Sequence, residues 1–231
     1  MSTADVLDGL VDPHQPVAIA IGEQGAAVAV AGHAGFSIPA PELASTLRHL
    51  EAIGPRWVWW SNATAIAMLD LGVRVARCWD LSAVHRLLVG GWTSGADRVW
   101  AFAHGLDVDA VPTVEPVDLF HQATEPDDPE HPIRPDGYLH PEWVTGEWAT
   151  DPTRIERWAE LALEVRTAQE AALARLADAP HAGAPRGPDR PRTTALSESA
   201  AELICAELEH DGLPFDCSIG EQIVAGFVGP R

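Results

Sequence analysis

The stretch GPRWVWWSNATAIAMLDLGVRVARCWDLSAVHRLLVGG, residues 54–91, constrains the fold more than any other part of this chain. Gly54-Pro55 opens it with a pair that no helix crosses easily. Trp57-Val58-Trp59-Trp60 is a short bulky apolar run, the pattern of a buried strand. Ser61 can N-cap a helix whose Ala63, Ile66, Ala67 and Leu71 recur at helical spacing, and Gly72 falls where a glycine ends it. Val73 to Cys78 alternates with period two, which predicts a half-buried strand. Asp80 can cap a further helix, with Ala83, Val84, Leu87 and Leu88 on one face and Gly90-Gly91 at its end. Strand, helix, strand and helix in one compact stretch imply an α/β core.

The surrounding segments extend the pattern. Val17 to Ile21, a turn at Gly22-Glu23-Gln24-Gly25 and apolar Ala26 to Ala31 predict a hairpin. Glu42 to Ile53 carries Leu43, Leu47 and Leu50 on one helical face. A short helix is expected beyond Gly91, with capping-box spacing at Ser94 and Asp97, inner residues Ala96, Val99, Trp100 and Ala103, and an end at Gly105.

Residues 106–142 change character. They hold ten Asp or Glu against one Arg134, together with seven prolines and no helical or strand period. The segment reads as an extended, partly disordered acidic loop. His121, His131 and His140 lie in it, but no HxxxH, HExxH or HxH spacing marks a metal site, and imidazoles in such a loop are solvated.

Order resumes near Thr150. Thr153-x-x-Glu156 fits a capping box, and Ile155, Trp158, Ala162, Val165, Ala172 and Leu176 form the cleanest helical stripe in the chain. Residues 179–192 are rich in proline and glycine and read as a linker. Its Arg186, Arg190 and Arg192 are the one basic cluster in the sequence and could touch a DNA backbone, but a solvated linker is the more frequent explanation of such a cluster. The last segment predicts a helical pair. Leu196, Ala200, Leu203, Ile204 and Leu208 line the first helix, Gly212 closes it, and Ser218-x-x-Glu221 boxes the second, with Ile219, Ile223 and Phe227 inward.

Composition limits the function. The 231 residues carry 34 acidic against 15 basic side chains, a formal charge of −19, and every one of those 15 is arginine. Such a balance is a poor match for a duplex-binding surface. Cys78, Cys205 and Cys217 form neither a disulfide framework nor a metal knuckle, and read as buried thiols in a reducing cytoplasm. No apolar run reaches the roughly 20 residues of a membrane span.

Two parts of the chain resemble one family. The pattern xxGVRVxRCxDLxxxHRLL after a helix resembles the second-motif region of the 3′–5′ exonuclease domain of family A DNA polymerases, the bacterial polymerase I group. Glu209, Gly212, Leu213, Phe215 and Asp216 are similar to the entry of the polymerase domain in that family. AAELICAELEHDGLP followed by FVGPR resembles the actinobacterial bifunctional 3′–5′ exonuclease/DNA polymerase branch. The resemblance implies a ribonuclease H-like mixed sheet with helices over 1–178, a linker over 179–192, and the beginning of a truncated or split polymerase domain over 193–231.

It also implies where catalytic carboxylates would stand. An Asp-x-Glu pair belongs on the first strand, where this chain reads VAIAI. A second acid falls at Thr64. A third-motif tyrosine and aspartate fall at Trp158 and Ala162. Two-metal hydrolysis needs several converging carboxylates, so Thr64 and Ala162 are vestigial positions and the exonuclease-like domain is expected to act structurally. The family cofactor is Mg²⁺; none is expected for this chain, whose partner would be DNA, bound weakly and through a complete polymerase. Lysine is absent, so the arginine-x3-lysine helix of family A synthesis is missing too. The alternatives are an atypical active exonuclease and a freestanding interaction module that docks through the acidic loop.

Overall fold

The computed structural model describes residues 3–113, 130–178 and 190–229. A short helix, α1 (Thr3–Leu7), leads into the hairpin β1 (Pro16–Gly22) and β2 (Gly25–Val30), paired from Val17↔Val30 to Gly22↔Gly25. A third strand, β3 (Phe36–Pro39), runs antiparallel to β2. Sequence periodicity missed it because four residues, of which Ile38 alone is buried, show too little alternation.

Helix α2 (Ala40–Ile53) buries Leu43, Leu47 and Leu50, as expected, and ends where Gly54 takes the left-handed conformation (φ 83) and donates its N–H to Leu50 O. Only glycine adopts that geometry at low cost. The chain then enters β4 (Arg56–Trp59), α3 (Ala63–Asp70), β5 (Cys78–Asp80) and α4 (Leu81–Val89). The strand expected over Val73 to Cys78 is displaced. Val73 and Val75 are buried, so the alternation is real, but ladder pairing begins only at Trp57↔Cys78. Alternating burial and strand pairing are separate properties, and here a loop has the first without the second. Asp80 caps α4 by accepting the Ala83 N–H at 2.8 Å.

Helix α5 (Ala96–Ala103) follows, with Gly95 as its N-cap and no side-chain cap in place of the expected box; the Ser94 hydroxyl instead receives Arg86. Of the acidic segment, residues 114–129, including His121, lie outside the described residues. Its end is packed, which corrects the extended-loop expectation there. Ile133 bridges Leu139, Leu139 and His140 are buried, and α6 (Pro141–Thr145) buries Trp143. A 3-10 turn (Glu147–Thr150) then precedes α7 (Pro152–Asp178). The cap of α7 is Asp151, whose Oδ1 accepts the N–H groups of Thr153 and Arg154, rather than Thr153 itself.

Helix α8 (Arg190–Asp211) begins inside the stretch read as linker, and α9 (Cys217–Val228) follows. The inward face of α8 is Ala195, Ser199, Leu203 and Ala206, whereas Ile204 and Leu208 are exposed. Ile204 and Leu208 therefore point away from the core, while Leu203 points into it. Helix α9 buries no residue, so Ile219, Ile223 and Phe227 are outward, and its cap is Asp216, not Ser218. Cys78 is buried while Cys205 and Cys217 are exposed, which corrects the expectation of three buried thiols.

The result is an α/β fold with one five-stranded mixed sheet in the order β3-β2-β1-β4-β5. β1, β4 and β5 are parallel, and β2 is antiparallel to both its neighbours. One face packs Val17, Ile19, Val28 and Val30 against α2 and α3. The other presents Ala18, Ala20, Ala27 and Ala29 to α7. Alanines at alternate positions let that long helix lie close to the sheet. Leu203 and Ala206 of α8 join the first core and Ala195 the second, so α8 shares the core of residues 1–178. No helix among the described residues is long and apolar enough to cross a membrane.

Candidate functional site

The parallel strands β1 and β4 end at a cavity of about 200 Å³, lined by Ile19 to Ile21, Trp60, Ser61, Thr64, Trp148 and Trp158 among others. The carboxyl ends of parallel strands are where α/β folds commonly place ligands. Three separate stretches of sequence meet there: β1, the first turn of α3, and the first turns of α7. Those are the three stretches in which the resemblance places exonuclease motifs.

Thr64 reaches the cavity, as does Trp158. Ala162 is fully buried one turn further along α7, in the same core cluster as Trp158, Ala18 and Ala20. The side chains of β1 that face α7 are thus Ala18 and Ala20, a pair two residues apart. That pair was invisible in the apolar run VAIAI, because only the structure says which alternate set points toward α7.

Tryptophans fill the space. The Trp60 and Trp158 rings stack with centroids 4.4 Å apart, and Trp148 stacks on Trp158 at 5.6 Å. Trp60 Nε1 donates to Trp158 O at 3.1 Å, which ties the end of β4 to α7. Trp148 is held by the 3-10 turn, whose Ala149 O accepts the Glu23 N–H at 2.9 Å. None of these tryptophans forms a sequence motif; their convergence is a tertiary fact.

The chemistry available is limited. Ser61 and Thr64 offer neutral hydroxyls, and none of the described residues that line the cavity has a titratable side chain. A hard divalent ion needs several oxygen ligands, with carboxylates to match its charge, so these residues do not fit the Mg²⁺ pair of an active exonuclease. Among the described residues, no three His, Cys, Asp or Glu are placed to hold a metal ion.

The acids near these segments serve other roles. Glu23 lies in the hairpin turn. Asp70 ends α3 and sits 3.7 Å from His210. Asp80 is buried, and burial pushes its carboxyl up to about 6. A carboxyl so perturbed is a functional candidate in general. Here both oxygens are taken by structural donors, Trp59 Nε1 at 2.9 Å and the Ala83 N–H at 2.8 Å. His140, expected to be solvated, is buried at the start of α6.

Of the arginines singled out in the sequence, Arg186 lies outside the described residues. Arg190 and Arg192 form the first turn of α8 rather than a linker, and Arg192 Nε is 3.4 Å from Glu170 Oε1. Comparison with protein-family models, with curated proteins and with solved structures returns no match to this chain.

Proposed function

We propose that this chain is the N-terminal part of a family A DNA polymerase, with a ribonuclease H-like exonuclease domain that has lost its chemistry and acts structurally. One observation carries the reading: β1, Thr64 and Trp158 line a single cavity although they come from distant parts of the sequence. An exonuclease of that family requires such a convergence at its three motifs. The strand order β3-β2-β1-β4-β5, with β2 alone reversed, supports the ribonuclease H-like assignment. Stacked indoles in place of carboxylates support a domain that keeps the shape of the site and not its metals.

Template-directed synthesis would belong to the complete polymerase, with DNA as partner and Mg²⁺ at its own site. Helix α9, with Ile219, Ile223 and Phe227 exposed, fits a surface that packs on such a domain. The deciding experiment is to sequence the DNA that follows the Arg231 codon in its source. An arginine-x3-lysine helix and paired aspartates encoded there support the reading. Their absence from every frame counts against it.

A further inference from the structure

A protein with a formal charge of −19 gathers four of its 15 arginines at one place. Arg56 is the first residue of β4, Arg77 directly precedes β5, Arg166 lies in α7 and Arg192 in the first turn of α8. Sheet pairing and helix packing bring them together. Arg56 Nη1 donates to Cys78 O at 3.2 Å, and the Arg166 guanidinium lies over the Trp79 ring, 5.4 Å from its centroid. Arg166 and Arg192 share Glu170, whose Oε1 is 2.6 Å from Arg166 Nη2 and 3.4 Å from Arg192 Nε. Glu51, also close to this end of β4, is engaged by the Trp57 indole and the Ala76 N–H.

Like charges at short range destabilise each other unless an anion offsets them. Among the described residues, Arg166 and Arg192 share the one carboxylate of Glu170 and neither Arg56 nor Arg77 forms an ion pair, so positive charge is in excess here. Two of the four guanidiniums register the strain. Burial first, and then the neighbouring arginines, lower the proton affinity of Arg56 and of Arg166. Donors are also left over. Arg166 Nε is buried with no acceptor among the described residues. Buried donors are rarely left without partners, and each instance calls for an explanation such as an ion or a ligand.

We propose that Arg56, Arg77, Arg166 and Arg192 together bind a phosphoryl group. Guanidinium forks match the tetrahedral oxygens of phosphate in pairs. A phosphoryl dianion supplies both the charge and the number of acceptors this cluster lacks, whereas a carboxylate supplies one charge and two oxygens. The site lies at the amino ends of β4 and β5, away from the tryptophan-lined cavity at the carboxyl end of β4, and does not depend on the exonuclease-like reading. No single stretch of sequence contains it, since Arg56 and Arg192 are separated by most of the chain.

The test is a titration of the full chain with inorganic phosphate at low salt, followed by heteronuclear NMR of the arginine Nε–H signals. Saturable shifts of Arg56 and Arg166 in the millimolar range are expected, weakening as salt is added. Arg77→Ala and Arg192→Ala should each weaken binding about tenfold, the effect of one charge-assisted hydrogen bond. Arg48→Ala, which removes a donor to Leu71 O on another surface, should leave it unchanged. Unaltered melting temperatures of these variants separate lost binding from lost folding. Thymidine monophosphate and a short oligothymidylate then distinguish the source. Tighter binding of the mononucleotide assigns the site to a terminal phosphate, and tighter binding of the oligomer to a nucleic-acid backbone. Absence of saturation with all three probes, or equal affinity in the Arg77→Ala/Arg192→Ala double variant, overturns the proposal.

Discussion

Ser199 Oγ lies 3.0 Å from the main-chain nitrogen of Asp80 and accepts its N–H, while Ser199 O accepts the Cys78 thiol at 3.2 Å. β5 is an edge of the sheet, so its outward donors need partners from outside the ladder. Helix α8 supplies them. The opposite edge is covered in the same way by α7, where Glu156 accepts the Ser37 hydroxyl and Glu160 the Gly35 N–H. Ser199→Ala should therefore strand a buried donor and cost about 1–3 kcal/mol. Urea denaturation measures it, and an unchanged midpoint would refute the clamp.

Asp80 makes stability depend on pH. Its folded-state carboxyl is raised by burial to about 6 from the ordinary 3.8. Between those two values the folded state binds more protons than the unfolded one, so this group stabilises the fold most below the lower value. Its contribution is lost as pH rises through about 6. His85 and His104, held below the usual imidazole range first by burial, act in the opposite sense as pH falls. The comparison must therefore be with Asp80→Asn. Wild-type stability relative to that variant should increase by about 1 kcal/mol on going from neutral pH to about pH 5, and further below that; parallel pH profiles would show that Asp80 does not titrate in this range.

Gly22 ends β1 directly beneath the 3-10 turn. A methyl group there would overlap the Ala149 carbonyl oxygen and Ile155 Cδ1. Gly22→Ala should cost about 1–3 kcal/mol through forced movement of backbone. It should also loosen the stacking of Trp148 on Trp158, read as a red shift in tryptophan fluorescence. An unchanged melting temperature together with an unchanged spectrum would contradict this.

The chain should release no nucleotide from a 3′-labelled single strand with magnesium or manganese. Ala18, Ala20, Thr64 and Ala162 provide no carboxylate where ions would sit, and electrostatic stabilisation is usually the largest contribution to such catalysis. Product that disappears with Asp80→Ala or Glu23→Ala would place a working site elsewhere in the chain. Product insensitive to both substitutions would point to a contaminating nuclease.

Helix α9 contributes no buried side chain, and Phe227 is 89% exposed. Removing residues 213–231 should change the stability of the remainder by no more than about 0.5 kcal/mol. The same truncation should reduce binding of an apolar dye, because Leu213, Phe215, Ile219 and Ile223 leave with it. A large loss of stability would mean that α9 packs on the sheet in solution.

Much of the fold was legible before any coordinates. The β1–β2 hairpin, α2 and the long α7 follow from periodicity and from Gly54, because local backbone preference and tertiary burial agree there. Helix α3 forms where expected but buries Ala65, Met68 and Leu69 instead of Ala63, Ile66, Ala67 and Leu71, and Leu87 of α4 is exposed. The errors share one cause. Val73 and Val75 alternate without pairing, Ile204 and Leu208 look inward by spacing but face out, and Thr153 yields its capping role to Asp151. In each case the pattern allowed two arrangements of similar local energy, and contacts with distant residues selected one.

The site divides along the same line. That no carboxylate could stand on β1, at residue 64 or at residue 162 was determined by the sequence alone, since no folding adds an acid to VAIAI, Thr64 or Ala162. That those positions converge on a stack of Trp60, Trp158 and Trp148 was decided by the tertiary structure. So was the meeting of Arg166 and Arg192 on the Glu170 carboxylate, which only the packing of α8 against α7 brings about. Residue identity sets which chemistry is possible at a position. Proximity between distant positions depends on which faces bury the most apolar surface, a property of the whole chain rather than of any segment.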